Sequence, residues 1–275
     1  MKSVSVAQMV IFICLSIPVL FILYKHGRPG FLGWIYLFAF CMLRIVGSAL
    51  DIDGSKGATT IANIGLSPLI LGASGILHEG RHYLRTDKDP KHGWFYVLVY
   101  NLFVLSGLAI LAVGNSALQS DEAKESDFTL VKVGISIITV AWIVLVWWAV
   151  LTLCQKGAQI DASGFEAGRR LTWATLFALI FIGIRVLYTL VALVPLDPNL
   201  SPSTGSLTIR VLLSFLPELI STLILIGAGL MTRNVRRGVM SVGWLHHERV
   251  PSKSKDAHHM HNRGTMPQID AMIDE

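Results

Sequence analysis

Residues 133–153 read VGISIITVAWIVLVWWAVLTL, a run with no charged side chain. A hydrocarbon layer about 30 Å thick is crossed by roughly 20 apolar residues in helix. Helix suits that layer because it pairs every backbone N–H and C=O within the segment. The stretch has no polar face to offer water, so it predicts a transmembrane helix.

Six further segments have the same character. The spans are expected near 6–24, 31–50, 59–78, 94–113, 129–153, 171–193 and 207–231. Turn and charge signals separate them, such as Lys25-His26-Gly27-Arg28-Pro29-Gly30 after the first and Asp51-Ile52-Asp53-Gly54 after the second. The whole composition agrees. Of 275 residues, 53% are hydrophobic and only 15% charged, and the mean hydropathy is +0.59. A soluble chain carries about 25% charged residues. The fold class predicted is all-α, a seven-transmembrane-helix bundle over 1–235. A polar cytoplasmic tail follows over 236–275, rich in Ser, Lys, His and Asp, with the composition of a disordered segment.

Loop charge sets the orientation. Two Lys or Arg residues lie between spans 1 and 2, four between 3 and 4, three between 5 and 6, and seven after span 7. The other side holds only Lys2, Lys56 and Lys124, so the N-terminus is expected outside and the C-terminus in the cytoplasm. The first span reads as a retained signal anchor, since it is long, lacks a small-x-small cleavage site and leads into basic residues. The acidic stretch 121–127 and the poorly placed sequon Asn199-Leu200-Ser201 fall in outer loops. The basic segment Arg233-Asn234-Val235-Arg236-Arg237 suits an anionic inner leaflet. The positive-inside bias accounts for the net charge of +5, which therefore gives no reason to invoke nucleic acid. The lipid bilayer is the expected partner, at the plasma membrane or an endomembrane. Cys14, Cys41 and Cys154 read as packing residues; Cys154, beside a basic interface, is also a weak acylation candidate.

Spans 2 and 6 each carry an arginine, in Phe40-Cys41-Met42-Leu43-Arg44-Ile45-Val46 and Phe181-Ile182-Gly183-Ile184-Arg185-Val186-Leu187, and spans 3 and 7 each carry a central proline, Pro68 and Pro217. Two readings are open. One is a 3+1+3 parallel repeat with span 4 as the linker; the other is chance recurrence of common membrane residues.

An arginine at mid-membrane costs about 2.5–3.5 kcal/mol to insert. Lys132, Arg210, Asp51 and Asp53 lie near span ends and can snorkel. Arg44, Arg185 and Glu218 cannot, and are expected to face the interior and meet. Two cations against one anion leave a positive charge that an anionic or amphiphilic small molecule would neutralise. The alternative is an ion cluster that only fixes helix register. Pro217 frees a carbonyl and bends the helix beside Glu218. Tyr188, Asn63, Ser67 and Ser214 are polar candidates for the same interior, or simple interhelical hydrogen bonds.

His78-Glu79-Gly80-Arg81-His82 matches the H-E-x-x-H zinc motif. Gly80 weakens the helix, the motif lies at a span end, and no third ligand follows at a recognisable spacing. An ordinary interfacial turn is the preferred reading, with His78, Glu79 and His82 kept as weak metal candidates. His258-His259-Met260-His261 in the tail reads as solvated. No cofactor is implied. Span 7 has no lysine for a retinal Schiff base and no Asn-Pro-x-x-Tyr, span 3 does not end in Asp/Glu-Arg-Tyr, and neither a P-loop nor a histidine-box set occurs.

The run Gly33-Trp34-Ile35-Tyr36-Leu37-Phe38 through Arg44-Ile45-Val46-Gly47 resembles a fungal family of seven-span membrane proteins of unknown function, of the DUF7702 type. Asn63-Ile64-Gly65-Leu66-Ser67-Pro68-Leu69-Ile70-Leu71 and Ile184-Arg185-Val186-Leu187-Tyr188 fit the same pattern. The likeness covers roughly 6–235 and implies a fungal integral membrane protein with no assigned activity. Three functional readings follow from the residues. The first is a non-enzymatic protein that binds, senses or moves a small amphiphilic or anionic ligand through Arg44, Arg185 and Glu218. The second is a membrane-embedded enzyme such as an isoprenoid cyclase, with desolvated Glu218 as general acid. The third is an H-E-x-x-H metalloprotein.

Overall fold

Pro29 donates no N–H, follows Gly27 by two residues and directly precedes Gly30, so a straight helix is not expected to pass through this point. In the computed structural model the first helix, α1, is continuous from Lys2 to Asp53, 52 residues. A straight rod of that length would hold residues 12 and 40 about 42 Å apart. Instead the rings of Phe12 and Phe40 meet edge to face with centroids 5.5 Å apart. Ser5 donates a hydrogen bond to Asp51, and the His26 and Trp34 rings lie 5.1 Å apart. α1 is therefore a hairpin of two antiparallel arms, Ser3–His26 and Gly30–Asp53.

The structure describes residues 2–55, 61, 64–84, 90–118, 125–154, 162–193, 208 and 211–233, without the side chains of 2, 27–29, 90–94, 162–163 and 193. Asn63, Asn199, Arg210, most of the acidic loop and the tail beyond Arg233 lie outside them. After α1 come α2 (Leu66–Leu84), α3 (Pro90–Leu118), α4 (Glu125–Cys154) and α5 (Ala162–Leu193). A five-residue π-helix, Val211–Phe215, then leads into α6 (Leu216–Thr232). No strand occurs among the described residues. Six of these segments are long and apolar enough to cross a membrane: the two arms of α1, Phe95–Leu118, Glu125–Cys154, Gly164–Ala192 and Val211–Thr232.

The α2 helix differs. A span was expected near 59–78, whereas the described helix runs Leu66–Leu84 and takes in Glu79, Arg81 and His82. Its position explains this. α2 packs against α1 and α5 and also touches α3 and α4. Fifteen of its 19 residues are buried. A helix enclosed by protein can carry polar side chains at membrane depth, because its neighbours rather than lipid supply their partners. Around it, α3 packs on α4, α4 on α5, α5 on α6, and α6 on α1.

The prolines are not central in their α-helices. Pro68 lies in the first turn of α2 and Pro217 in the first turn of α6. At Pro68 the missing N–H falls among the first-turn donors that have no ladder partner, whereas Pro217 follows directly on the π-helix and removes a donor from that continuous ladder. The π-helix before Pro217 makes the local change of register, a feature that often marks functional segments.

The outer faces carry apolar stripes at helical spacing, among them Ile13, Ile17 and Phe21, then Val140, Ile143 and Trp147, then Phe177, Ile180, Ile184 and Leu187. In water these stripes would form one large exposed apolar surface. In lipid they are the expected solvent-facing side.

Close approach of α1 and α2 depends on two glycines. A Cβ on Gly75 would sit 2.5 Å from the Gly33 nitrogen, and one on Gly33 would sit 2.6 Å from the Ile76 nitrogen. Both obstacles are backbone, so the helices themselves must separate. Gly75→Ala is therefore expected to lower stability by about 1–3 kcal/mol, measured as unfolding in mixed micelles. An unchanged midpoint would show that the two helices do not touch at this point.

Candidate functional site

The second arm of α1, the helix α5 and the start of α6 each bring one charged side chain to a common point. Arg44 is 5% exposed, Arg185 1% and Glu218 0%. Arg44 Nη2 donates to Glu218 Oε1, and Arg185 Nε donates to the same oxygen at 2.9 Å. The second carboxylate oxygen, Glu218 Oε2, is buried and has no hydrogen-bond partner, and neither has Arg44 Nε. Two guanidinium groups thus share one carboxylate oxygen, leaving one formal positive charge in excess.

Neighbouring residues hold the three in place. Arg185 also donates to Thr189 Oγ1, whose hydroxyl donates back to the Arg185 carbonyl at 2.9 Å. The Arg185 guanidinium stands 5.7 Å from the Tyr188 ring, and Arg44 stands 5.6 Å from the Phe40 ring. Ser221 and Thr222 both bond the Glu218 carbonyl, at 2.9 and 2.7 Å. Phe12 touches Phe40 and also Phe215, with centroids 6.2 Å apart in the latter pair, so an aromatic floor adjoins the ions.

Of the other candidates, Tyr188 is buried beside Arg185. Ser67 is fully buried with an unpartnered hydroxyl. Ser214 is half-buried in the π-helix. Asn63 is outside the described residues. Thr189 was not singled out from the sequence, although its position one turn beyond Arg185 was the available signal. Ser48, one turn beyond Arg44, was also missed. Its buried hydroxyl has no partner.

A family model described as "Domain of unknown function (DUF7702)" matches residues 1–235. The chain belongs to the DUF7702 family. No curated protein and no solved structure matches it. The family carries no assigned activity, so the chemistry of this DUF7702 chain rests on its own side chains.

The DUF7702 chain holds a second buried polar cluster, and it corrects the reading of His78-Glu79-Gly80-Arg81-His82 as an interfacial turn. These residues are helical, within α2, and Glu79 is fully buried. His26 Nδ1 lies 2.6 Å from Glu79 Oε1. Trp34 Nε1 donates to Oε2 at 3.0 Å, and Tyr83 donates to Oε1 at 3.4 Å. His26 Nε2 faces the Gly229 carbonyl at 3.0 Å. A carbonyl only accepts, so Nε2 carries a proton. One further proton then lies between Nδ1 and the carboxylate.

Glu79 thus ties together both ends of the α1 turn, α2 and, through His26, α6. His82 on the same helix is exposed and His78 half-buried. Among the described residues no group of three or more His, Cys, Asp or Glu side chains is arranged to hold a metal ion. Gly80 has a packing role, since a Cβ there would lie 2.9 Å from Thr172 Oγ1 and 3.2 Å from the Gly168 carbonyl of α5. His26 was read only as part of a turn signal. Its partners lie 53 and 203 residues away in sequence, so no local pattern could reveal them.

Proposed function

We propose that this DUF7702 chain is a multi-pass membrane protein of seven crossings that binds, senses or transports a small amphiphilic or anionic ligand at Arg44, Arg185 and Glu218. The observation that carries the reading is the sharing of one carboxylate oxygen by two buried guanidinium groups. A buried, uncompensated charge costs several kcal/mol, and a ligand oxyanion would offset it. Tyr188 and the aromatic floor supply apolar surface beside the charge, as an amphiphile requires.

In this reading α2 is the seventh crossing. Its 19 described residues extend about 28 Å, close to the hydrocarbon thickness. An odd number of crossings places the ends of the bundle on opposite sides, in keeping with the loop-charge bias and an N-terminus outside. Arg44 and Arg185, one from each proposed three-span half, meet at one carboxylate as a parallel repeat would have them do. The halves differ at the residue after the proline: Pro217 is followed by Glu218 and Pro68 by Leu69, so at that position only the second half supplies the counter-ion. The cyclase alternative asks Glu218 to donate a proton. A carboxylate oxygen that accepts from two guanidinium groups has the opposite role, which favours the binding reading.

The test uses the full chain in lipid nanodiscs with alkyl carboxylates and alkyl phosphates of 8 to 16 carbons as probes. At a probe concentration 100 times Kd, binding to the folded state adds about 2.7 kcal/mol to stability, seen as a rise in melting temperature. Arg44→Gln and Arg185→Gln, where they fold, are expected to lose that rise. If no member of either series raises the wild-type melting temperature, the reading is wrong.

A further inference from the structure

Burial leaves two atoms of the ion cluster unsatisfied, and their requirements differ. Arg44 Nε can only donate, and Glu218 Oε2 can only accept. They belong to directly paired side chains. An oxyanion without hydrogen would satisfy the guanidinium and turn lone pairs toward Oε2. A cation would satisfy Oε2 and oppose Arg44. A head that combines an acceptor oxygen with an O–H group meets both requirements. Ser48 lies one helical turn from Arg44, within neighbour range on the same face. Its unpartnered, buried hydroxyl adds a third polar atom, able to donate or accept. The excess formal charge of the cluster sets the ligand charge at minus one, and Phe12, Phe40 and Phe215 lie alongside.

We infer that the ligand is an apolar chain ending in a singly negative oxyanion that keeps an O–H, as in an α-hydroxy carboxylate or a singly charged phosphate monoester. The inference rests on the ligand-binding reading above and specifies its chemistry. The O–H points to Glu218 Oε2, the charged oxygen accepts from Arg44 Nε, and Ser48 joins the head group.

Four probes with the same twelve-carbon chain separate these features: dodecanoate, 2-hydroxydodecanoate, 1-dodecanol and dodecyl phosphate. Binding is measured on the full chain in nanodiscs. A buried polar atom left unpaired weakens binding by about tenfold. 2-Hydroxydodecanoate or dodecyl phosphate is therefore expected to bind at least about tenfold more tightly than dodecanoate or 1-dodecanol, and the tighter of the two identifies the source of the O–H. Glu218→Gln is expected to remove the preference for the hydroxylated probe. Because that variant alters the ion cluster, Ser48→Ala serves as a milder second test and is expected to reduce the same preference. If dodecanoate binds as tightly as its 2-hydroxy analogue, this inference fails while the ligand-binding reading stands. Equal binding of 1-dodecanol and 2-hydroxydodecanoate would refute the negative charge; binding of none of the four to the wild type would overturn this inference, and failure of every chain length from 8 to 16 carbons would overturn the ligand-binding reading as well.

Discussion

Glu218→Ala is expected to cost about 3–5 kcal/mol of stability, because it strands two buried guanidinium groups without an anion. Arg44 and Arg185 both bond the lost oxygen, and both are buried, at 5% and 1% exposure. Reversible unfolding in mixed micelles measures the loss. A loss below about 1 kcal/mol is the range of exposed ion pairs, and would show that the three side chains are hydrated. The informative comparison is the triple variant Arg44→Met, Arg185→Met, Glu218→Leu. Replacing a whole buried ion group by apolar side chains of similar volume is often neutral, or stabilising by about 1–4 kcal/mol. The triple variant is expected to fold at least as well as the wild type and to have lost its response to the alkyl probes. That pair of results would separate a binding role from a purely architectural one.

The visibility of this cluster in the sequence has a physical cause. A charge in the middle of an apolar run is costly, so each such residue must find an opposite charge or polar partner in the interior. With two cations and one anion to place, convergence was the economical solution, and the structure brings Arg44, Arg185 and Glu218 together. The second cluster gave no such signal. Lys25-His26-Gly27-Arg28-Pro29-Gly30 reads as a loop because it contains charge, glycine and proline, and Glu79 reads as interfacial because Arg81 and His82 follow it. What the sequence could not convey is that α2 is surrounded by protein. Mean hydropathy treats lipid as the only membrane environment, and so it ends a span where polar residues begin. Glu79 has His26, Trp34 and Tyr83 as partners, and the helix continues through it. The hairpin reversal was legible at Pro29, whereas the pairing of its two arms depends on contacts such as Phe12 with Phe40 that have no local signature.

The second large effect belongs to that hidden cluster. His26→Leu and Glu79→Leu are each expected to cost about 3–5 kcal/mol, since either one removes a partner from a buried charged pair. In His26→Leu the carboxylate keeps Trp34 and Tyr83 as donors, while the Gly229 carbonyl loses the bond from Nε2. In Glu79→Leu the Trp34 N–H and the imidazole are left facing an apolar side chain. The neighbouring backbone is close: a Cβ on Gly30 would lie 2.9 Å from Glu79 Oε1, so little room exists for a rearranged partner. The two losses should not add. A double-mutant cycle is expected to give a coupling of about 0.5–3 kcal/mol, because the second substitution removes a group already stranded by the first. A coupling of zero within error would mean that His26 and Glu79 act independently. The α1 turn would then be held to α2 by the Trp34 bond to Glu79 and the close approach of Gly33 to Gly75, without help from His26. A measured coupling would identify this pair as a joint between the α1 hairpin and α2, and the His26 ring meets the Gly229 carbonyl of α6 through its other nitrogen. Gly229 lies 11 residues beyond Glu218, about 16 Å along the axis. Under the proposed ligand-binding role, a change in proton exchange at His26 on addition of the alkyl probes would show that the two ends of α6 respond together, and no change would show that they do not.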